Sequence, residues 1–151
     1  MAYKGSAKAR RSSARLAAVQ VLYQMRLNKE DASSALSSFT SSSLAGVDMD
    51  GETLVPPDAE TLDAIVRGVE QRWSDVDGII AQSLAHGGKK EVEILLDCIL
   101  RAGTYELIAR GDIDTGIIIN DYLNVTSSFY AGSETKLVNA ILDRVAKAVR
   151  E

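Results

Sequence analysis

The chain has 151 residues, 46% of them apolar and only 5% aromatic, with two prolines, a size for one ordinary domain or two small helical halves sharing a core. The single cysteine, Cys98, excludes an intrachain disulfide and a multi-cysteine metal site. No apolar run approaches the roughly 20 residues of a membrane span, and no signal-peptide pattern opens the chain, so a cytoplasmic protein without a metal or other cofactor is expected. Charge is unevenly placed: five of the 17 basic and none of the 21 acidic residues lie in residues 1–15, giving +5 there and −9 on the remainder. An acidic body repels phosphate, whereas a concentrated basic arm binds it locally.

Residues 1–11 read as a flexible basic arm. It runs into a strong helix-forming stretch, Ala9 to Leu27, for which Ser12 or Ser13 is the expected N-cap. Ala14, Ala18, Val21 and Met25 fall on one side of this helix and Leu16, Val19, Tyr23 and Leu27 on the other, leaving only Ser13, Gln24 and Asn28 as a polar strip. A helix apolar nearly all round is buried among others, while its arginine-rich start must reach water or an anion. Glu30 to Ser43 carries Ala32, Ala35, Leu36 and Phe39 at helical spacing and predicts a short second helix.

Leu44 to Pro57 is expected to be a loop, punctuated by Gly46, Gly51, Pro56 and Pro57. Its Asp48-to-Gly51 fragment resembles the start of a calcium loop but lacks the downstream ligands. Asp58 then caps an amphipathic helix with Leu62, Ile65, Val66, Val69 and Trp73 on one face. Ser74 starts the next, with Val76, Ile79, Ile80 and Leu84, and His86-Gly87-Gly88 ends it. His86 has no histidine or cysteine beside it and reads as a cap or surface residue. The glycines mark the expected division between an N-terminal bundle, about 12–86, and a C-terminal bundle, about 89–151.

Glu91 to Arg110 predicts a long helix with Leu95, Leu96, Ile99, Ala102, Tyr105 and Leu107 on a wide apolar face, and Cys98 packed as a small hydrophobe. A turn at Gly111 to Asp114 precedes a stretch started by Thr115, where the spacing of Ile118, Tyr122, Val125 and Phe129 favours helix. Ser133 caps the last helix, which turns Leu137, Val138, Ile141, Leu142, Val145 and Val149 inward and Lys136, Asp143, Arg144 and Lys147 outward. Six or seven helices and no sheet make the expected fold all-α.

Four segments carry a resemblance: Ala14 to Gln24 (Ala-Arg-Leu-Ala-Ala-Val-Gln-Val-Leu-Tyr-Gln), Ile99 to Leu107 (Ile-Leu-Arg-Ala-Gly-Thr-Tyr-Glu-Leu), Ile118 to Asp121 (Ile-Ile-Asn-Asp) and Leu137 to Val145 (Leu-Val-Asn-Ala-Ile-Leu-Asp-Arg-Val). In this order they resemble the NusB family of transcription antitermination factors, from about Arg10 to Lys147 and most weakly from Ser33 to Val55. The resemblance implies two packed helical bundles and an adaptor without catalysis. It implies binding to the boxA sequence of nascent ribosomal RNA leaders together with NusE, a small-subunit ribosomal protein, and association with other Nus factors on RNA polymerase.

Carried over by position, the family's RNA-binding arginines fall on Arg10, Arg11 and Arg15, its helix-borne Gln and Tyr on Gln20 and Tyr23, and a further arginine on Arg101. Lys136 and Asn139 are added as RNA contacts. Guanidinium groups hold phosphate, and a tyrosine ring stacks on a splayed base. Tyr23, between Leu16 and Leu27, equally fits a core role. Partner contacts fall around Leu96 and Asp97, and on Ser133, Glu134 and Leu137. The chain departs from the family pattern at Ser12 and Ser13, where many members continue the arginine run. Leu137 and Ala140 stand where Phe and Gly are common, and Ser133 stands at an acidic position. Two alternatives remain: a helical interaction domain or homodimer that binds no RNA directly, and the NusB-like head of a ribosomal RNA methyltransferase, which needs a C-terminal cofactor domain.

Overall fold

A computed structural model describes residues 5–41, 55–89 and 91–150. Among these the fold is all-α: α1 (Ala7–Asn28), α2 (Ala32–Ser41), α3 (Ala59–Gln71), α4 (Trp73–His86), α5 (Ile94–Ala109), α6 (Thr115–Phe129) and α7 (Ser133–Val149). The expected loop at 44–54, with its Asp48-to-Gly51 fragment, lies outside the described residues. The chain forms two compact units that divide inside α3, between Arg67 and Gly68.

In the first unit α1 packs on α2. Ala14, Ala17, Ala18 and Val21 on α1, and Ala32 and Ala35 on α2, are all buried. Helix α1 stops at Lys29, which takes the left-handed conformation (φ 55°) and donates its N–H to the Met25 carbonyl. Asp31 then caps α2, its carboxylate accepting from the Ser34 N–H at 2.8 Å.

In the second unit α5 is the central element, packed on α4, α6 and α7. Leu96, the whole run from Cys98 to Thr104, Glu106 and Leu107 are buried on it. Such all-round burial exceeds the wide single face expected from its sequence, because helices cover it on several sides. Two details close the packing. Gly103 lies against Leu142 of α7, so that a Cβ at 103 would sit 3.0 Å from both leucine δ carbons. The Tyr122 hydroxyl of α6 donates to an oxygen of the fully buried Glu106 side chain at 2.6 Å, which gives that polar group a partner inside the core.

Arg150, just past α7, holds the end of α5. Its guanidinium donates to the carbonyls of Leu107 (2.8 Å), Arg110 (2.7 Å) and Ile113 (2.7 Å). The last carbonyls of a helix lack intrahelical donors; Arg150 supplies one to Leu107 and ties down Arg110 and Ile113 in the turn that follows.

Several caps differ from expectation. Helix α7 begins at Ser133 itself, with Gly132 (φ 88°) at the cap position and no side-chain cap bond. Helix α4 begins at Trp73 behind Arg72, so Trp73 opens α4 and does not end α3. Helix α6 starts at Thr115 as expected, and Asp114 before it is the cap, accepting from the Gly116 N–H at 3.1 Å. Phe129 is 37% exposed at the end of α6.

Candidate functional site

The basic stretch is helical. Ser6 caps α1, its hydroxyl accepting from the Ala9 N–H at 3.0 Å, so Ala7 to Arg11 belong to the helix and neither Ser12 nor Ser13 is the cap. The expectation of a loose tail to Arg11 is therefore overturned for Ala7 to Arg11. Alanine-rich sequence favours this early start, and Ser13 is engaged elsewhere: its hydroxyl donates to the Val55 carbonyl at 2.6 Å. A serine in mid-helix with a distant partner is a signal that sequence reading passed over.

Arg10 and Arg11 are half-buried and Lys8 is exposed. No acidic residue lies in the first turn of α1. The adjoining carboxylate is that of Asp58, whose own N–H donates to the Arg10 carbonyl at 2.9 Å. Asp58 caps α3 as expected, accepting from the Thr61 hydroxyl (2.5 Å) and N–H (3.1 Å). The Thr61 hydroxyl bond holds its carboxyl below the ordinary value, and the charges of Arg10 and Arg11 add to the effect.

Further along α1, Gln20 is exposed and Tyr23 half-buried. With Leu16 and the 54%-exposed Leu27 they form one strip at intervals of three and four residues. Tyr23 thus has one side on the protein and part of its ring toward solvent. Arg15 is different, being only 3% exposed.

In the second unit, Arg101 is 5% exposed. Its Nε pairs with Asp97 at 2.6 Å and its Nη2 with Asp77 at 2.5 Å. The guanidinium carbon lies 3.7 Å from the Trp73 ring centroid, a stacked cation–π arrangement. Arg101 and Asp97, expected in separate RNA and partner roles, are therefore brought together as one ion pair. Trp73 and Asp77 are members of this cluster that the sequence did not single out. Leu96, expected at a partner surface, is only 4% exposed and belongs to the core. On α7, Ser133, Lys136 and Asn139 are exposed and Glu134 and Leu137 half-buried. Lys136 and Asn139 stand one turn apart and share a face.

Among the described residues, no group of three or more His, Cys, Asp or Glu side chains is placed to hold a metal ion. No described helix is long and apolar enough to cross a membrane.

Comparison with known proteins fits this helical scaffold. The transcription antitermination protein NusB of Allorhizobium ampelinum is 39% identical over 141 residues, covering 93% of this chain and 88% of that protein. That of Rhodopseudomonas palustris is 37% identical over 153 residues, covering 100% and 87%. The solved structure of T. maritima NusB superimposes with a TM-score of 0.72 at 26% identity, over 91% of this chain and 90% of that one. The family model described as the NusB family matches residues 12–147. The chain belongs to the NusB family.

Proposed function

We propose that the chain is an RNA-binding antitermination adaptor. It holds boxA-type RNA of nascent ribosomal RNA leaders, binds the ribosomal protein NusE, and through it joins other Nus factors on RNA polymerase, acting by binding alone. The observation that carries this reading is the charge at the start of α1. Lys8, Arg10 and Arg11 sit in its opening turns with no acid in the first. A helix N-terminus is itself positive and favours carboxylates. Cations there weaken the helix and strengthen its attraction for phosphate, which is the arrangement expected where an anionic ligand, and not the fold, selects the residues.

Arg10 and Arg11 are the proposed phosphate contacts, with Gln20 and Tyr23 reading bases along the exposed strip. Tyr23 lies 12 residues beyond Arg11, or about 18 Å along the axis at 1.5 Å per residue. Lys136 and Asn139 are proposed as contacts made by the second unit. Asp97, Ser133, Glu134 and Leu137 are the proposed partner contacts. Arg15, Arg101 and Leu96, being buried, support these surfaces from beneath.

The test is a boxA-type RNA titrated at several salt concentrations. Against the unaltered chain, the Arg10→Ala/Arg11→Ala variant is expected to bind more weakly. Its plot of log K against log salt should be shallower by about 1.4, at roughly 0.7 for each single-strand phosphate that is no longer neutralised. Equal affinity and slope in the two proteins would remove the arginines from the site.

A further inference from the structure

The segment immediately before α3 meets the start of α1 at three points. Gly5, with φ 84°, lies so close to Val55 that a Cβ there would be 2.7 Å from the valine Cγ1. The Asp58 N–H donates to the Arg10 carbonyl at 2.9 Å. Ser13 donates its hydroxyl to the Val55 carbonyl at 2.6 Å. These contacts fall before, at and after the Arg10–Arg11 pair.

The segment is suited to hold rather than to follow. Pro56 and Pro57 fix two successive φ angles near −65° and restrict the residue before each to extended backbone. Asp58 is anchored at its far end, its carboxylate on the Thr61 hydroxyl and N–H. The opening turns of α1 need such support. Their cations oppose the helix dipole, and a terminal turn of a helix frays unless packing or side-chain bonds hold it.

We propose that Val55–Asp58 is a strap that keeps the arginine-bearing turns of α1 helical in the free protein, making Ser13 and Asp58 positioning residues for RNA binding. The proposal rests on the arginines being the RNA contact. Its physical content is that the ordering cost of these turns is met during folding, so binding does not have to supply it. Ser13 then stands where a further arginine would add charge, and contributes order instead.

The experiment compares the full chain with Ser13→Ala and Ser13→Thr, the threonine keeping the hydroxyl. Two quantities are read: amide hydrogen exchange over Ala7 to Ser13 in the free protein, and boxA-type RNA affinity across a salt series. Loss of one side-chain bond is expected to raise exchange and weaken RNA binding about two- to tenfold. The salt slope should stay unchanged, because every phosphate keeps its cation, and Ser13→Thr should restore both quantities. The slope separates this outcome from loss of an arginine, which makes it shallower. Exchange unaltered in Ser13→Ala overturns the strap. Faster exchange with RNA affinity unmoved overturns the positioning role. If the unaltered chain binds no boxA-type RNA, the RNA reading itself fails and the positioning role with it, while exchange alone then decides whether the strap orders α1.

Discussion

Arginine is chemically the same residue at 10, 11, 15 and 101, yet the protein uses it in different ways. Arg10 and Arg11 stand at the start of a helix, where little of the core reaches. Arg101 lies in the core of the second unit, stacked on Trp73 and paired with Asp97 and Asp77. Residue type and family position point Arg101 toward RNA. The clue to its actual surroundings is the four-residue spacing of Asp97 and Arg101, which places them side by side on a helix. Asp77, on another helix, is beyond any local rule. We expect Arg101→Ala to cost about 3 kcal/mol of stability, because it removes the buried guanidinium that pairs with Asp97, whose side chain is 14% exposed. Asp77→Ala should cost well under about 1 kcal/mol, since that side chain is 59% exposed. Urea unfolding of the two variants checks the ranking, and equal losses would contradict it.

At the level of whole elements, periodicity is informative and helix ends are less so. Ile118, Tyr122 and Val125, and likewise Val138, Ile141, Leu142 and Val145, face inward as their spacing requires. The start of α1 escapes a sequence reading because Ser12 and Ser13 look like caps in isolation. The actual cap, Ser6, lies in what reads as a tail, and Ser13 is bonded to Val55 across 42 residues. Asp58 is legible, since an aspartate before an amphipathic run is a strong cap signal. Its titration gives a prediction. The folded-state pKa is depressed below the ordinary 3.8, so the stabilisation is present above that value and is lost as pH falls through the lower folded value. Asp58→Asn keeps a capping side chain and should flatten this acid limb of the stability curve. Asp58→Ala should lose about 1 kcal/mol at neutral pH through the missing cap. Thermal unfolding from neutral pH down to about pH 2, below the carboxylate range, distinguishes the two. An acid limb unchanged in Asp58→Asn would assign the dependence to other carboxylates.

For the molecule as a whole, the charge separation read from the sequence bears on the proposed binding. Residues 1–15 carry +5 and the rest −9. Exposed charges interact over about 8–10 Å at ordinary salt, so under the proposed function the acidic body is expected to limit how much RNA the isolated chain attracts. It also favours approach by a basic ribosomal protein. We therefore expect weak boxA binding by the chain alone and a lower dissociation constant once NusE is added. Leu137→Asp, at a half-buried position of α7, should abolish that gain. Circular dichroism separates failed docking from a destabilised helix. An RNA affinity indifferent to NusE would leave the protein in its family but without the cooperative mechanism. Composition can indicate these long-range charges, but not which side chains reach the surface, since that depends on how the helices pack.

The contact between Gly103 and Leu142 links the mutational histories of two helices. A methyl group at 103 would crowd both δ carbons of a leucine that is fully buried and has little room to retreat. Glycine costs α5 about 1 kcal/mol of helix propensity relative to alanine, so replacing it offers a gain that the close approach of α7 withholds. Shortening the leucine releases that gain. Gly103→Ala alone is expected to lose about 1 kcal/mol net, overpacking exceeding propensity. Leu142→Val alone should lose a similar amount through the space it leaves. The double variant should be more stable than the sum of the two by at least about 0.5 kcal/mol, the coupling typical of touching residues. Strict additivity in a thermal-unfolding cycle would show that the helices can move apart. A positive coupling means that drift at either position depends on what the other has already become.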